Sequence, residues 1–476
     1  MSPAPDILGL SPLDHIPAKL FLPYILYFDT ADPQTATHSI QKGIDKLISQ
    51  LPWLAGDVIL HSAPEGPKNR MHIAPPRSSP SQEVPPMLQI KHFDRDEDFR
   101  THPVHCYLPL PTFIPALEQR PVIRFQANVF PSKIALAMSF WHSVFDGTGA
   151  GVILEAVAEC CKTTANNEAE TPMAQIIAKT HTELRNTVSA FASKCQVRLD
   201  HTVELGTPIF DPSISSEQWN AIESAAASAV ETKRYTFSPE KVAEVKETCT
   251  RLLSQLQAPS SSSSSSSSSA WISSNDIITA MLVICVDRTL HPDRADKTKS
   301  ADFLMAVDMR SRVHPPLPET YLGNSIFPVH DNIYFEETAT SQTGQDDADA
   351  DADLLHLTQL ALHIRTKLGQ MDETVAYSSS AAVAEYEDWA KIEAKPAGII
   401  VTSWRSLKTF SLDFGPGLGC IEDFEPGLAL VPGGCILLPS RVVSPEKTPP
   451  WEVCITMKMG DSKMLVQDPL FSRILA

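Results

Sequence analysis

The chain has 476 residues, more than one hydrophobic core usually serves, and 43% of them are hydrophobic, so two folded domains are expected rather than a disordered polymer. Acidic residues outnumber basic ones by 57 to 39, and a formal charge of −18 repels a phosphate backbone, which excludes general nucleic-acid binding. No stretch approaches the roughly 20 apolar residues of a membrane span. The start, MSPAPDILGLSPLDH, lacks a secretory signal, and the nine scattered cysteines form no zinc pattern. These features predict a cytoplasmic protein with reduced thiols and no metal.

In chain order, a strand-like run from Leu20 to Phe28 precedes a helix whose apolar positions Ile40, Ile44, Leu47, Ile48 and Leu51 follow the 3.6 period, ended by Pro52. Residues 62–120 read as loops around short strands such as Leu88 to Lys91. VIRFQANVF and IALAMSFW then read as two strands joined at Pro131-Ser132-Lys133. Beyond Gly147 the period changes, with Val152, Ile153, Ala156, Val157 and Cys160 on one helical face, so residues 142–147 form a tight strand-to-helix connection. A first domain over 1–195, a crossover over 196–235 and a second domain over 236–476 are expected.

Ser238-Pro239-Glu240 starts a helix that runs to about Leu256. The unbroken serines 260–269 read as a surface insertion, and the acidic run from Asp346 to Asp353 as a solvated loop without the Gly and distal Glu of a calcium site. Helices near 275–289 and 352–369, and strands near 303–308, 324–330, 398–403, 434–438 and 451–458, complete the reading. Without strict alternation they favour α/β sandwich-like layers over a doubly wound sheet.

FWHSVFDGTGAG places His142 and Asp146 four apart, with Gly147 next. The same spacing recurs at His92 and Asp96, in a charged stretch with no strand or glycine turn around it, and is taken as chance. An imidazole near its ordinary pKa of about 6.5, at the mouth of a sheet, is matched to removing a proton from an attacking hydroxyl. A satisfied core histidine beside an N-capping aspartate is an equal alternative on these residues alone. No GxSxG, HExxH or GxxxxGK[ST] pattern occurs.

HSVFDG at 142–147 and DFGPG at 413–417 together resemble the HxxxD and DFGWG pair of the BAHD acyltransferases, in the manner of fungal members that acetylate trichothecenes and other secondary metabolites. LSPLD (10–14), LPWLAGDV (51–58), SSND (273–276), VDMRSRVHPPLPETYLGN (307–324), TSWRSL (402–407) and WEVCITM (451–457) support it in collinear order. The resemblance implies two chloramphenicol-acetyltransferase-like α/β domains with mixed sheets flanked by helices and a channel between them. It implies His142 as base, Asp146 turned away to pair with Arg310, and Thr402 and Trp404 beside the acceptor and the nascent oxyanion. Gly147, Asp413, Gly415 and Gly417 would be structural.

Pro416 departs from the family's tryptophan, which questions the packing of that loop. The co-substrate would be acyl-CoA, with acetyl-CoA favoured, and no cofactor would be permanently bound. The partners are that thioester and a small-molecule acceptor, and the enzyme would be a monomer. The rivals are an intramolecular condensation or cyclisation enzyme on the same fold and a non-catalytic metabolite-binding protein. At least two of Lys391, Lys395, Arg405, Lys408 and Arg441 are expected to meet the CoA phosphates.

Overall fold

VIRFQANVF and IALAMSFW pair as an antiparallel hairpin, Ile123–Val129 with Lys133–Trp141. Nearly every side chain in both is buried, because each strand is covered on both faces. Phe21–Asp29 extends the sheet antiparallel to Lys133–Trp141, and Leu88–His92 joins its other side in parallel with Ile123–Val129. Two helices, α1 (Pro33–Gln50) and α2 (Gly147–Ala165), pack on this sheet. They approach closely at Gly43, where a Cβ would lie 2.9 Å from the Cys161 backbone.

A second, six-stranded sheet has the order Ile326–Ile333, Ala301–Asp308, Ile399–Ser403, Gly434–Leu437, Trp451–Lys458, Val230–Phe237. Its two pairings along Ile399–Ser403 are parallel and the rest antiparallel, so both large sheets are mixed. Helices Pro239–Leu256, Ser274–Leu290 and Gln345–Gly369 contribute to its core. The computed structural model describes residues 8–62, 66–76, 86–96, 104–115, 118–166, 171–199, 205–206, 214–256, 271–292, 301–333, 345–427 and 431–476. The serine run 260–269 lies outside them. Among the described residues no helix is long and apolar enough to cross a membrane.

The structure differs from the sequence reading at several places. The acidic run 346–353, read as a loop, lies within the helix Gln345–Gly369. The stretch read as a crossover holds a helix, Ser216–Ala229, and most of the strand Val230–Phe237, which joins the second sheet. The largest departure lies between 404 and 425. This segment of the second half crosses back to the first, where Trp404, Phe410, Phe414, Leu418, Ile421 and Phe424 join the first core. Asp423–Glu425 pairs antiparallel with Phe21–Asp29 as an edge strand of the first sheet.

Candidate active site

The strand Lys133–Trp141 ends on the fully buried Trp141, and the chain turns through 142–146 before α2 begins. Main-chain bonds fix the turn: His142 N–H donates to the Leu20 carbonyl at 2.9 Å and Val144 N–H to the Trp141 carbonyl at 2.8 Å. Phe145 wedges between Trp53 and Phe140, with ring centroids at 5.9 and 6.2 Å. Its carbonyl thereby meets the His142 ring, 3.1 Å from Nδ1. A carbonyl can only accept, so Nδ1 carries the hydrogen and Nε2 the lone pair. Among the described residues no protein group bonds Nε2, and the ring is partly exposed.

Burial is the main reason that the His142 pKa falls below the ordinary histidine value; the nearby Lys19 ammonium adds to this. The Phe145 carbonyl and the Asp146 carboxylate pull the other way and do not prevail. A base must be unprotonated, so a lowered pKa keeps it competent to lower pH. The acid limb of kcat/KM is therefore expected to fall below the free-histidine value of about 6.5. A limb at or above that value, in a pH series on the wild-type enzyme, contradicts this environment.

Asp146 is fully buried, and its carboxylate bonds go to groups other than the imidazole. Its Oδ1 accepts from Gly149 N–H at 2.8 Å, which caps α2, and from Arg310 Nη2 at 2.8 Å. Its Oδ2 accepts from Arg310 Nη1 and Ser325 N–H, both at 2.9 Å. Arg310 also reaches Asp308 and the carbonyls of Tyr321 and Gly323. Burial opposes the guanidinium charge, but Asp146 and Asp308 outweigh it and raise its pKa. The expected Asp146–Arg310 pair is thus a bidentate clamp that joins the first half to the second.

Gly147 opens α2 where the room for a side chain is taken. A Cβ there would lie 2.9 Å from Nε1 of Trp404 and 3.3 Å from the Tyr24 hydroxyl, which donates to the Gly147 carbonyl at 3.2 Å. Trp404 stacks edge-on against Tyr24 at 5.0 Å, just past the end of the strand Ile399–Ser403 that carries Thr402. Among the described residues neither the Thr402 hydroxyl nor the Trp404 indole N–H makes a protein hydrogen bond. Both are donors held on rigid elements.

The DFGPG loop lies elsewhere. Asp413 pairs with Lys162 at 2.8 Å and accepts from Gly415 N–H at 2.9 Å, while Phe414 packs on Phe28 at 4.9 Å. Lys162 is near the far end of α2, so at 1.5 Å per residue the loop is roughly 20 Å from the His142 turn. Gly415 and Gly417 have φ of +88° and +89°. A Cβ on Gly415 would lie 2.7 Å from the Lys162 Cα. Gly415→Ala is therefore expected to cost about 1–3 kcal/mol in thermal or denaturant unfolding, from left-handed strain and a backbone clash. An unchanged midpoint would mean that the loop carries no such constraint. Pro416 is exposed at the tip, where no indole is needed to fill a core.

Two donors to the His142 turn were not singled out by sequence. Arg185, on α3 (Pro172–Ser189), donates from Nη2 to the Val144 carbonyl at 2.7 Å, and Asn324 Nδ2 donates to the His142 carbonyl at 2.9 Å. Asn324 ends the collinear stretch YLGN, a signal within reach; Arg185 sits in a polar helix and gives none. The proposed basic cluster is largely occupied by protein groups. Arg441 binds Asp423 and Glu452, Arg405 donates to the Pro449 and Pro450 carbonyls, and Lys408 lies by Glu319.

A family model described as Transferase family matches residues 105–421, and one described as a trichothecene 3-O-acetyltransferase-like N-terminal domain matches residues 19–161. The chain is 31% identical to the communesin N16 acyltransferase of Penicillium expansum, over 97% of this chain and 96% of that one. It is 29% identical to the fumigaclavine B O-acetyltransferase of Penicillium roqueforti, with the same coverage. The crystal structure of F. sporotrichioides TRI101 complexed with coenzyme A and T-2 superposes with a TM-score of 0.72 at 18% identity, over 99% of both chains. The likeness to transferases thus runs along nearly the whole sequence and includes the fold of two mixed α/β halves, and the chain belongs to the Transferase family, as an acyltransferase of the BAHD type.

Proposed function

We propose that this acyltransferase moves an acetyl group from acetyl-CoA to a hydroxyl or amine of a small-molecule secondary metabolite, with His142 as the general base. The observation that carries the reading is the Nδ1–H bond to the Phe145 carbonyl, which leaves Nε2 as a lone pair with no protein partner among the described residues. Nε2 takes the acceptor's proton as its oxygen or nitrogen attacks the thioester carbonyl. The tetrahedral oxyanion forms beside Thr402 and Trp404, the nominated donors. Its collapse breaks the C–S bond, and the imidazolium returns the proton to the departing thiolate. No covalent enzyme intermediate is needed. All the named groups come from one chain, so a monomer suffices.

The relatives' names supply first acceptors to try: fumigaclavine B for O-transfer and a communesin precursor for N16 transfer. The test incubates the purified chain with acetyl-CoA and each acceptor, and reads free thiol release together with the mass of an acetylated product. Stoichiometric thiol and product support transfer. A rearranged acceptor without thiol release would instead support cyclisation. Tight acceptor binding with neither outcome, across a broad acceptor panel, would indicate a binding protein.

A further inference from the structure

The His142 turn is clamped behind by Asp146 and Arg310, but its front half, the carbonyls of His142 and Val144, is held by a separate buried cluster. We infer that Asp14 is a positioning residue for His142, organising Arg185 and Asn324 so that they fix these two carbonyls. The inference rests on His142 being the base.

Asp14 is fully buried and receives five donated bonds. Its Oδ2 accepts from the Ser11 N–H and hydroxyl, both at 2.7 Å, and from Arg185 Nη1 at 2.8 Å. Its Oδ1 accepts from the Asn324 main-chain N–H at 2.8 Å and from Nδ2 at 3.2 Å. The Asn324 amide faces two acceptors, Asp14 Oδ1 and the His142 carbonyl, which settles that its NH₂ end points there. Arg185 divides itself likewise, with one nitrogen on Asp14 and the other on Val144.

Three segments distant in sequence therefore meet at one carboxylate: the N-terminal turn, α3 and the loop before the strand Ile326–Ile333. Through them the charge of Asp14 is spent on the main chain at His142 and Val144. The next residue is Phe145, whose carbonyl selects the Nδ1–H tautomer. If the peptide planes rotate, that carbonyl leaves the ring and Nε2 loses its direction. The cluster touches no reacting atom, so its effect falls on orientation and on the imidazole's titration.

Asp14→Asn strips the partner from the buried Arg185 charge and threatens the fold, so Asn324→Ala, which keeps the ion pair, is the deciding variant. Diethyl pyrocarbonate attacks unprotonated imidazole, and peptide mass spectrometry across pH gives a labelling profile of His142 that requires no acceptor. In folded Asn324→Ala, the His142 labelling midpoint is expected to move further below the free-histidine value of about 6.5, because the Phe145 carbonyl that raises it is lost. With acetyl-CoA and a working acceptor, kcat is expected to fall about tenfold to a hundredfold, with the KM for acetyl-CoA nearly unchanged. Asp14→Asn, where it folds, should shift the labelling the same way. A folded Asn324→Ala with the wild-type labelling profile overturns the inference, whether or not the wild-type protein transfers acetyl groups. Wild-type kcat in that variant overturns it equally. If His142→Ala retains activity, the base assignment itself has failed, a separate result.

Discussion

Replacing His142 by alanine is expected to lower acetyl transfer by about 10²–10⁴-fold while leaving the protein folded, the range for losing a positioned general base. The fold should tolerate the change because the turn is held by the main chain. Its N–H bonds Leu20 and its carbonyl accepts from Asn324, and neither bond involves the imidazole. The loss should appear in kcat and kcat/KM together, since the base acts in the transition state and contributes little to holding CoA. His92→Ala supplies the control: His92 ends an edge strand with its side chain exposed, and no loss is expected there. Near-native kcat in pure, folded His142→Ala would end the proposed mechanism.

The second large effect concerns stability as well as rate. Asp146→Ala leaves the Arg310 guanidinium buried without its main carboxylate, and uncaps α2 at Gly149. Breaking a buried pair from one side costs about 3–5 kcal/mol. That is a large share of the roughly 5–15 kcal/mol that separates native from unfolded chains. Asp146→Asn, which keeps an acceptor for Gly149, should be milder. Arg310→Ala should also be severe, because Asp146 would retain only two main-chain donors. The double substitution should be little worse than the poorer single one, in both melting and kcat. Fully additive losses in that cycle would mean that the two residues act independently.

Most of the site was readable from one sequence because its pieces lie close together or inside stretches with strong period. The alternation of two apolar strands with a glycine turn and an apolar helix places His142 at a strand end without any long-range knowledge. Arg310 required the family resemblance, since nothing local ties it to Asp146. Arg185 stayed hidden for a physical reason. Its helix buries only Ala174, Ile177, Arg185 and Val188, so an interior arginine looks like one more surface charge until a carboxylate from residue 14 is found against it.

The fold was missed in the same places. VETKRYTF has only Tyr235 and Phe237 buried, too thin a pattern to announce a strand. ETVAYSSSAAVA is a helix, Glu373–Ala384, that buries three consecutive serines, where composition suggests a loop. The return of 404–425 to the first half is a matter of tertiary pairing, which no local period encodes.

That return has a consequence for synthesis. Tyr27, in the strand Phe21–Asp29, pairs with Asp423, so its neighbour emerges from the ribosome only near the end of translation. Until then the first half carries an open strand edge, and the hydrophobic pockets for Trp404, Phe414 and Phe424 lie unfilled. The finished edge is held from the second half, where Arg234 on the strand Val230–Phe237 and Arg441 in the segment before Trp451–Lys458 both bind Asp423. Nascent chains stalled before residue 404 should therefore recruit chaperones and aggregate when released, whereas chains completed through the last strand become soluble. The enzyme's two halves are a single folding commitment, and expressing either one alone leaves it without its closing strand or without the partner that strand was made to close.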